Sequence, residues 1–249
     1  MNPITRMACA GCCAILASPL LPAQESDHGW SLAGYVQQSW PKQTETNRQI
    51  KDEINGALGT NFKTWADVAN INLGAVGMKK LAPHWNLGFE ADWSAGQISG
   101  TESVADFGFG PGEVAFKQRY STYADLQLMT QFRPLGCSGR WDPFLAAAVG
   151  LAYDKDYTTL TFAGAGGGPS ALLLRVDNHG FFPILNCGIG VDYFLSSSRV
   201  WFIEAEAGYS WCRLKHQAQA AGLEAPAPRV TADSDSTGPN VLLGVGCHF

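Results

Sequence analysis

Apolar and polar residues alternate with a period of two through most of the chain, the spacing of a β-strand whose successive side chains face opposite surfaces. Trp85, Leu87, Phe89, Ala91 and Trp93 share one face, and Asn86, Gly88, Glu90, Asp92 and Ser94 the other. Ala124, Leu126, Leu128, Thr130 and Phe132 oppose Asp125, Gln127, Met129, Gln131 and Arg133. The pattern recurs in Leu185–Tyr193 and Trp201–Trp211. It returns in Val241, Leu243, Val245, Cys247 and Phe249, set against Leu242, Gly244, Gly246 and His248. Strands are expected over 30–40, 68–79, 85–97, 121–133, 143–154, 181–195, 199–213 and 240–249, about eight in all.

The connections alternate in length. Residues 80–84, 134–142 and 196–198 read as short turns containing Pro, Gly or Ser, while 41–67, 98–120, 155–180 and 214–239 read as long loops. An apolar last strand left as an open edge invites aggregation. Pairing it with the first, near Trp30, removes the edge. The expected fold is all-β: a closed antiparallel transmembrane barrel with short periplasmic turns and long extracellular loops. Aromatic residues band both ends of the apolar faces. Trp85, Phe132, Tyr193, Trp201 and Phe249 lie at the turn end, and Trp40, Trp93, Tyr153, Tyr209 and Trp211 at the loop end. Trp85, Trp93, Trp201 and Trp211 are the expected anchors of two interfacial belts. A soluble barrel or sandwich would alternate too, with its apolar face inward. The banding, the loop alternation, the leader and Phe249 favour the membrane.

Residues 1–23 read as a secretory signal: Arg6 ahead of an apolar stretch from Met7 to Leu21, with cleavage after Ala23. Cys9-Ala10-Gly11-Cys12 loosely matches a lipoprotein site, but acylation there would leave a very short apolar core. The domain expected is therefore one barrel over 24–249, in a Gram-negative outer membrane. Past the leader no uncharged apolar run is long enough for a helical span. A net charge of −5 and the lack of a basic stripe argue against nucleic acid. Cys137, Cys187, Cys212 and Cys247 are scattered without a C-x-x-C pair, so neither a zinc site nor a disulfide framework is expected. Cys187 and Cys247 should face outward and Cys212 inward.

The alternating strands and the run Val241–Phe249 resemble the eight-stranded outer-membrane barrels of the opacity-protein, OmpA-barrel and OmpW type. The resemblance spans the mature chain and implies contact with outer-membrane lipid. It also implies recognition by the barrel-assembly machinery through Phe249 and the alternating residues before it, Val245 among them. Nothing follows Phe249, so a peptidoglycan-binding domain is not expected.

The inward face is acidic: Glu90, Asp92, Asp125, Asp192, Glu204 and Glu206, with Arg133 and His248 as basic counterparts. Interior carboxylates must pair, hydrate or take up protons. This cluster reads either as a hydrogen-bonded plug or as the lining of a narrow path. Eight strands leave an interior only just filled by side chains, which disfavours an open pore. Barrel enzymes that modify lipid use Ser, His and an acid within reach of one another. Here His28 and His84 fall at the periplasmic side and His179 and His216 in loops, without such a pattern. The glycine-rich 108–112 and 164–168 lack the Lys-Ser/Thr of a phosphate loop. Ile50, Ile54 and Leu58 are spaced for a short amphipathic helix over the barrel mouth or on the membrane, although Gly56 and Gly59 weaken it. The run Ala171–Leu174 reads as a hairpin extension or part of a ligand site. The expected role is non-enzymatic: structural, or surface interaction with an extracellular ligand through the loops. A narrow channel or binder for a small solute, hydrophobic ones included, is the alternative; a lipid-modifying enzyme comes third. No cofactor or metal is expected.

Overall fold

The computed structural model describes residues 29–42, 44–64, 70–104, 110–135, 139–166, 170–221, 229–235 and 237–249. The leader, Cys9, Cys12, Cys13, the expected cleavage site, His28 and Cys137 lie outside them. Among the described residues nine strands follow in order: β1 (Trp30–Ser39), β2 (Asn70–Ala82), β3 (Trp85–Val104), β4 (Gly112–Phe132), β5 (Trp141–Gly164), β6 (Ala171–Phe194), β7 (Trp201–Ala221), β8 (Arg229–Asp235) and β9 (Gly238–His248). Between β1 and β2 lie α1 (Thr44–Arg48), a π-helical stretch (Gln49–Asn55) and α2 (Gly56–Leu58). No helix among the described residues is long and apolar enough to cross a membrane.

Each strand pairs antiparallel with the next from β1 to β7. β9 then joins β7 to β1, completing a ring of eight strands, and β8 pairs with the outer part of β7. The first and last strands meet as the alternation requires, from Ser31 opposite His248 to Ser39 opposite Asn240. Trp30 and Phe249 exchange both backbone hydrogen bonds, at 3.2 and 2.9 Å.

The surfaces are inverted relative to a soluble barrel. Outward residues of β5 and β6 are apolar from Trp141 to Tyr153 and from Phe181 to Tyr193. Leu145, Val149, Leu151, Leu185 and Ile189 are exposed, and Phe181 reaches 74% exposure. Aromatic pairs mark both ends of this band: Trp141 with Tyr193 (4.6 Å between ring centres) and Tyr153 with Phe181 (5.0 Å). Twelve residue steps of about 3.3 Å, tilted by about 40°, give roughly 30 Å, enough for the apolar band of an outer-membrane barrel. The inward residues include Glu90, Asp92, Asp125, Gln127, Gln131, Asp142, Asp192 and Glu204, all buried, beside apolar ones such as Met78, Met129 and Phe144. An apolar exterior around a polar, charged interior is stable only with lipid outside, and in strand form that means an outer membrane. Trp85, Trp93 and Trp211 are exposed on the outer face, while Trp201 is half-buried there.

The segments expected as long loops at 98–120, 155–180 and 214–239 are largely strand. β3 and β4 continue to Val104 and Gly112, β5 and β6 to Gly164 and Ala171, and β7 runs on against β8. Beyond the membrane the two faces change character. Val114, Phe116, Leu160 and Phe162 point inward and are buried, while Lys117, Arg119, Lys155 and Tyr157 point outward. Bulges between Ser94 and Gly96 and between Tyr120 and Thr122 also break the register where this change begins. A pattern sought as apolar-out therefore ends at the membrane boundary although the ladder does not.

Candidate functional site

The inward positions of β4 and of the residue just after it, read from the turn end, are Arg133, Gln131, Met129, Gln127, Asp125 and Tyr123. Past the bulge they become Gln118, Phe116 and Val114. A polar lumen thus lies beneath an apolar cap.

At the turn end Arg133, just beyond β4, is buried with its guanidinium between two carboxylates. Nη1 stands 2.6 Å from Asp142 Oδ2 and 2.7 Å from Asp192 Oδ2, and both aspartates are 0% exposed. Nη2 donates to Gln131 Oε1 at 2.7 Å. With its amide turned to satisfy both ends, Asn86 accepts from Arg133 Nε at 2.9 Å. The guanidinium carbon lies 5.0 Å from the centre of the Phe144 ring. The Arg133 backbone is fixed on both sides by His84: its N–H donates to the His84 carbonyl (2.9 Å), and its carbonyl meets His84 Nδ1 (2.8 Å). A planar fork with several fixed donors suits two converging carboxylates better than an ammonium would. Below it Phe194 and Phe202 pack edge to face, and each also contacts the His248 ring.

Higher in the lumen the Tyr35 hydroxyl lies 2.6 Å from Glu90 Oε1 and 2.6 Å from Asp92 Oδ1. The one phenolic proton can be donated to either carboxylate, so the hydroxyl bridges the two acids. Gly74 makes room for this arrangement. A Cβ there would collide with Asp92 Oδ1 and with the Tyr35 ring and hydroxyl. Gln127 donates to Asp125 Oδ1 (2.8 Å) and accepts from Asn186 (2.9 Å), while Asn72 donates to Gln37 (2.8 Å).

Above these groups is a chamber of about 70 Å³ lined by Asp92, Asp125, Asp154, Asn72, Tyr123 and Asn186, among others. Its volume suits a few water molecules or a very small solute. Asp154 is buried with neither carboxylate oxygen hydrogen-bonded within the protein.

The helical segment closes the outer mouth. Ile50 and Phe62 are buried with Val104, Val114, Phe116, Leu160 and Phe162, and Ile54, Leu58, Leu173 and Leu174 pack around them. Phe62 and Phe116 lie 5.4 Å apart. After α2 the chain turns at Gly59 (φ 65°), a left-handed helix end that glycine favours. Asn55 ties the turn to the residues that follow: its Oδ1 accepts from Thr60 Oγ1 and Phe62 N, both at 2.9 Å, and its Nδ2 donates to the Phe62 carbonyl at 3.0 Å. The spacing Ile50, Ile54, Leu58 thus packs inside the mouth, on the inner face of the extended hairpins, rather than on the membrane.

All seven expected lumen residues face inward. Glu90, Asp92, Asp125, Arg133, Asp192 and Glu204 are buried and Glu206 half-buried; Asp92 lies opposite Asp125 across the β3–β4 ladder and Asp192 opposite Glu204 across the β6–β7 ladder. Asp142, Tyr35 and Asp154 escaped the sequence reading. Asp142 falls within a segment read as a turn, and Tyr35 has no polar face of its own to stand out. Asp154 marks the end of the expected fifth strand. Each continues the inward parity of its strand, and that is the signal that could have found it. Cys187 is exposed, Cys212 buried and Cys247 half-buried, and no disulfide joins them to one another. Among the described residues no group of His, Cys, Asp and Glu is arranged to hold a metal ion.

No family model and no curated protein matches the chain. Among solved structures it is similar to the outer membrane protein OprG of Pseudomonas aeruginosa, at 16% identity over 89% of this chain and 96% of that one, with a TM-score of 0.48. It is similar to outer membrane protein W of E. coli at 15% identity, covering 91% and 100%, with a TM-score of 0.41. For Neisserial surface protein A the values are 10%, 89%, 97% and 0.41. The barrel assignment rests on the chain's own ladder and surfaces.

Proposed function

We propose that the protein is a non-conducting, non-enzymatic outer-membrane barrel that anchors extended extracellular hairpins as an interaction surface. The observation that carries this reading is the double closure of the lumen: Arg133 bridging Asp142 and Asp192 at the turn end, and Ile50 and Phe62 packed within the hairpins at the outer end. Strands prolonged past the membrane give a stiff display surface, unlike flexible loops. His84 and His248 are engaged with the Arg133 backbone and with Phe194 and Phe202, which supports a structural role for both. Recognition of Phe249 and Val245 by the barrel-assembly machinery belongs to the same proposal. In planar bilayers the refolded protein is expected to give no steady conductance steps; large, stable steps would overturn the closed-lumen reading. A second reading, binding of a small cationic solute, is favoured by the chamber beside Asp92, Asp125 and Asp154. Calorimetric titration with small organic ammonium ions tests it, and saturable heat lost in Asp154→Asn supports it.

A further inference from the structure

The outward face just beyond the apolar band carries cations although the chain as a whole is acidic. Arg119 lies opposite Tyr157, and Lys117 opposite Thr159, across the β4–β5 ladder. Lys155, two residues beyond Tyr153 on the same face, is exposed and lies opposite exposed His179. Asp177, the carboxylate that faces Tyr157 across the β5–β6 ladder, is held by Arg175 at 2.9 Å. Neither Lys117 nor Arg119 has a carboxylate partner among the described residues. Hydrogen bonding to Arg119, with Lys117 adding, holds the Tyr157 phenol below its ordinary value of 10.0. In the ladder Arg119 lies directly across from Tyr157 and Lys117 across from Thr159 two residues on, so both cations sit beside Tyr157 on the same outward face.

We propose that Lys117, Arg119 and Tyr157 form a binding site for the phosphate groups of outer-leaflet glycolipid. Position argues for a lipid headgroup as the occupant. Tyr157 is four residues past the aromatic pair Tyr153–Phe181 that ends the apolar band. About 3.3 Å per residue along a tilted strand puts the patch roughly 10 Å above the hydrocarbon, at headgroup height. A lipid whose chains lie against Leu151 and Phe181, both exposed, brings its phosphate to this face. An arginine fork and a lysine ammonium are complementary to a phosphate dianion, and Tyr157 adds a hydroxyl donor. The site lies on the barrel exterior and so goes beyond the display role of the hairpins.

The test uses the refolded full chain in detergent micelles and counts bound lipid by native mass spectrometry. The probes are bis-phosphorylated lipid A and the same lipid with its phosphates removed. The wild type is expected to prefer the phosphorylated form, and K117Q/R119Q to bind it about 30-fold more weakly, from the usual contribution of two surface cations to anionic-headgroup binding. Equal affinity of the wild type for the two lipids, or an unchanged double variant, would overturn the site. Displacement of the lipid by millimolar inorganic phosphate would assign the patch to a soluble anion and also overturn it. Gel mobility before boiling checks that the variant folds; if it does not, the two-lipid comparison on the wild type decides.

Discussion

Replacing Arg133 with methionine removes the guanidinium between Asp142 and Asp192 and keeps most of the side-chain length. Both carboxylates are fully buried, and Arg133 is their common ion-pair partner, at 2.6 and 2.7 Å. Breaking a buried pair by deleting one member typically costs about 3–5 kcal/mol, because the remaining charge is left uncompensated in a medium that solvates it poorly. Two carboxylates share this cation, and Gln131 and Asn86 lose a donor as well, so the expected loss lies near the upper end. Equilibrium urea unfolding in lipid vesicles, followed by tryptophan fluorescence, measures it. The decisive companion is the triple variant Arg133→Met, Asp142→Asn, Asp192→Asn. If the cost is uncompensated charge, neutralising both acids should recover most of the stability, since replacing a whole buried ionic group by neutral residues is often close to neutral. A single variant within about 0.5 kcal/mol of the wild type would fall in the range of an ordinary surface change and refute the reasoning. A triple variant as unstable as the single one would show that packing against Phe144, not charge, carries the effect.

Tyr35→Phe removes the hydroxyl between Glu90 and Asp92 and should destabilise the barrel by about 1–3 kcal/mol, the usual cost of stranding buried polar partners; the same urea titration reads it. Ile50→Ser should loosen the cap from Phe116 and Phe162 and speed trypsin cleavage at exposed Lys51 and Lys63, with barrel mobility on unboiled gels unchanged. Tyr157 should ionise at lower pH than an ordinary tyrosine, and K117Q/R119Q should return it towards 10.0; difference absorbance against Tyr157→Phe detects this. Because its folded value is depressed, any stabilisation from its ionisation is fully present only above the unfolded tyrosine pKa and is lost as pH falls through the lowered value.

The membrane-spanning part was legible because lipid imposes one rule on every strand. Leu145 to Tyr153 and Leu185 to Tyr193 must be apolar on alternate positions, and the opposite positions are free to carry Asp192, Glu90 or Asp125. Parity alone therefore placed the lumen acids. Above the membrane that rule lapses. Lys117 and Arg119 face water while Phe116 and Val114 face the cap, and the bulge near Tyr120 shifts the phase, so residues 98–120 resembled a loop. Ile50, Ile54 and Leu58 advertised an apolar stripe, but its partner comes from two hairpins far along the chain, β3–β4 and β5–β6, which no local pattern reveals.

Alternation fixed which residues share a face; with the aromatic bands, the alternating loop lengths and an apolar last strand that must not be left as an open edge, it pointed to a barrel with an apolar exterior and an acidic interior in which the strand at Trp30 meets the strand at Phe249. Only the tertiary structure decided how the interior is satisfied. Arg133 reaches two carboxylates brought together from β5 and β6, and Tyr35 of β1 bridges two acids of β3. Hydrogen bonds and ion pairs depend on distances across the ring. Those distances are set by strand register and tilt, which one strand's own sequence does not contain.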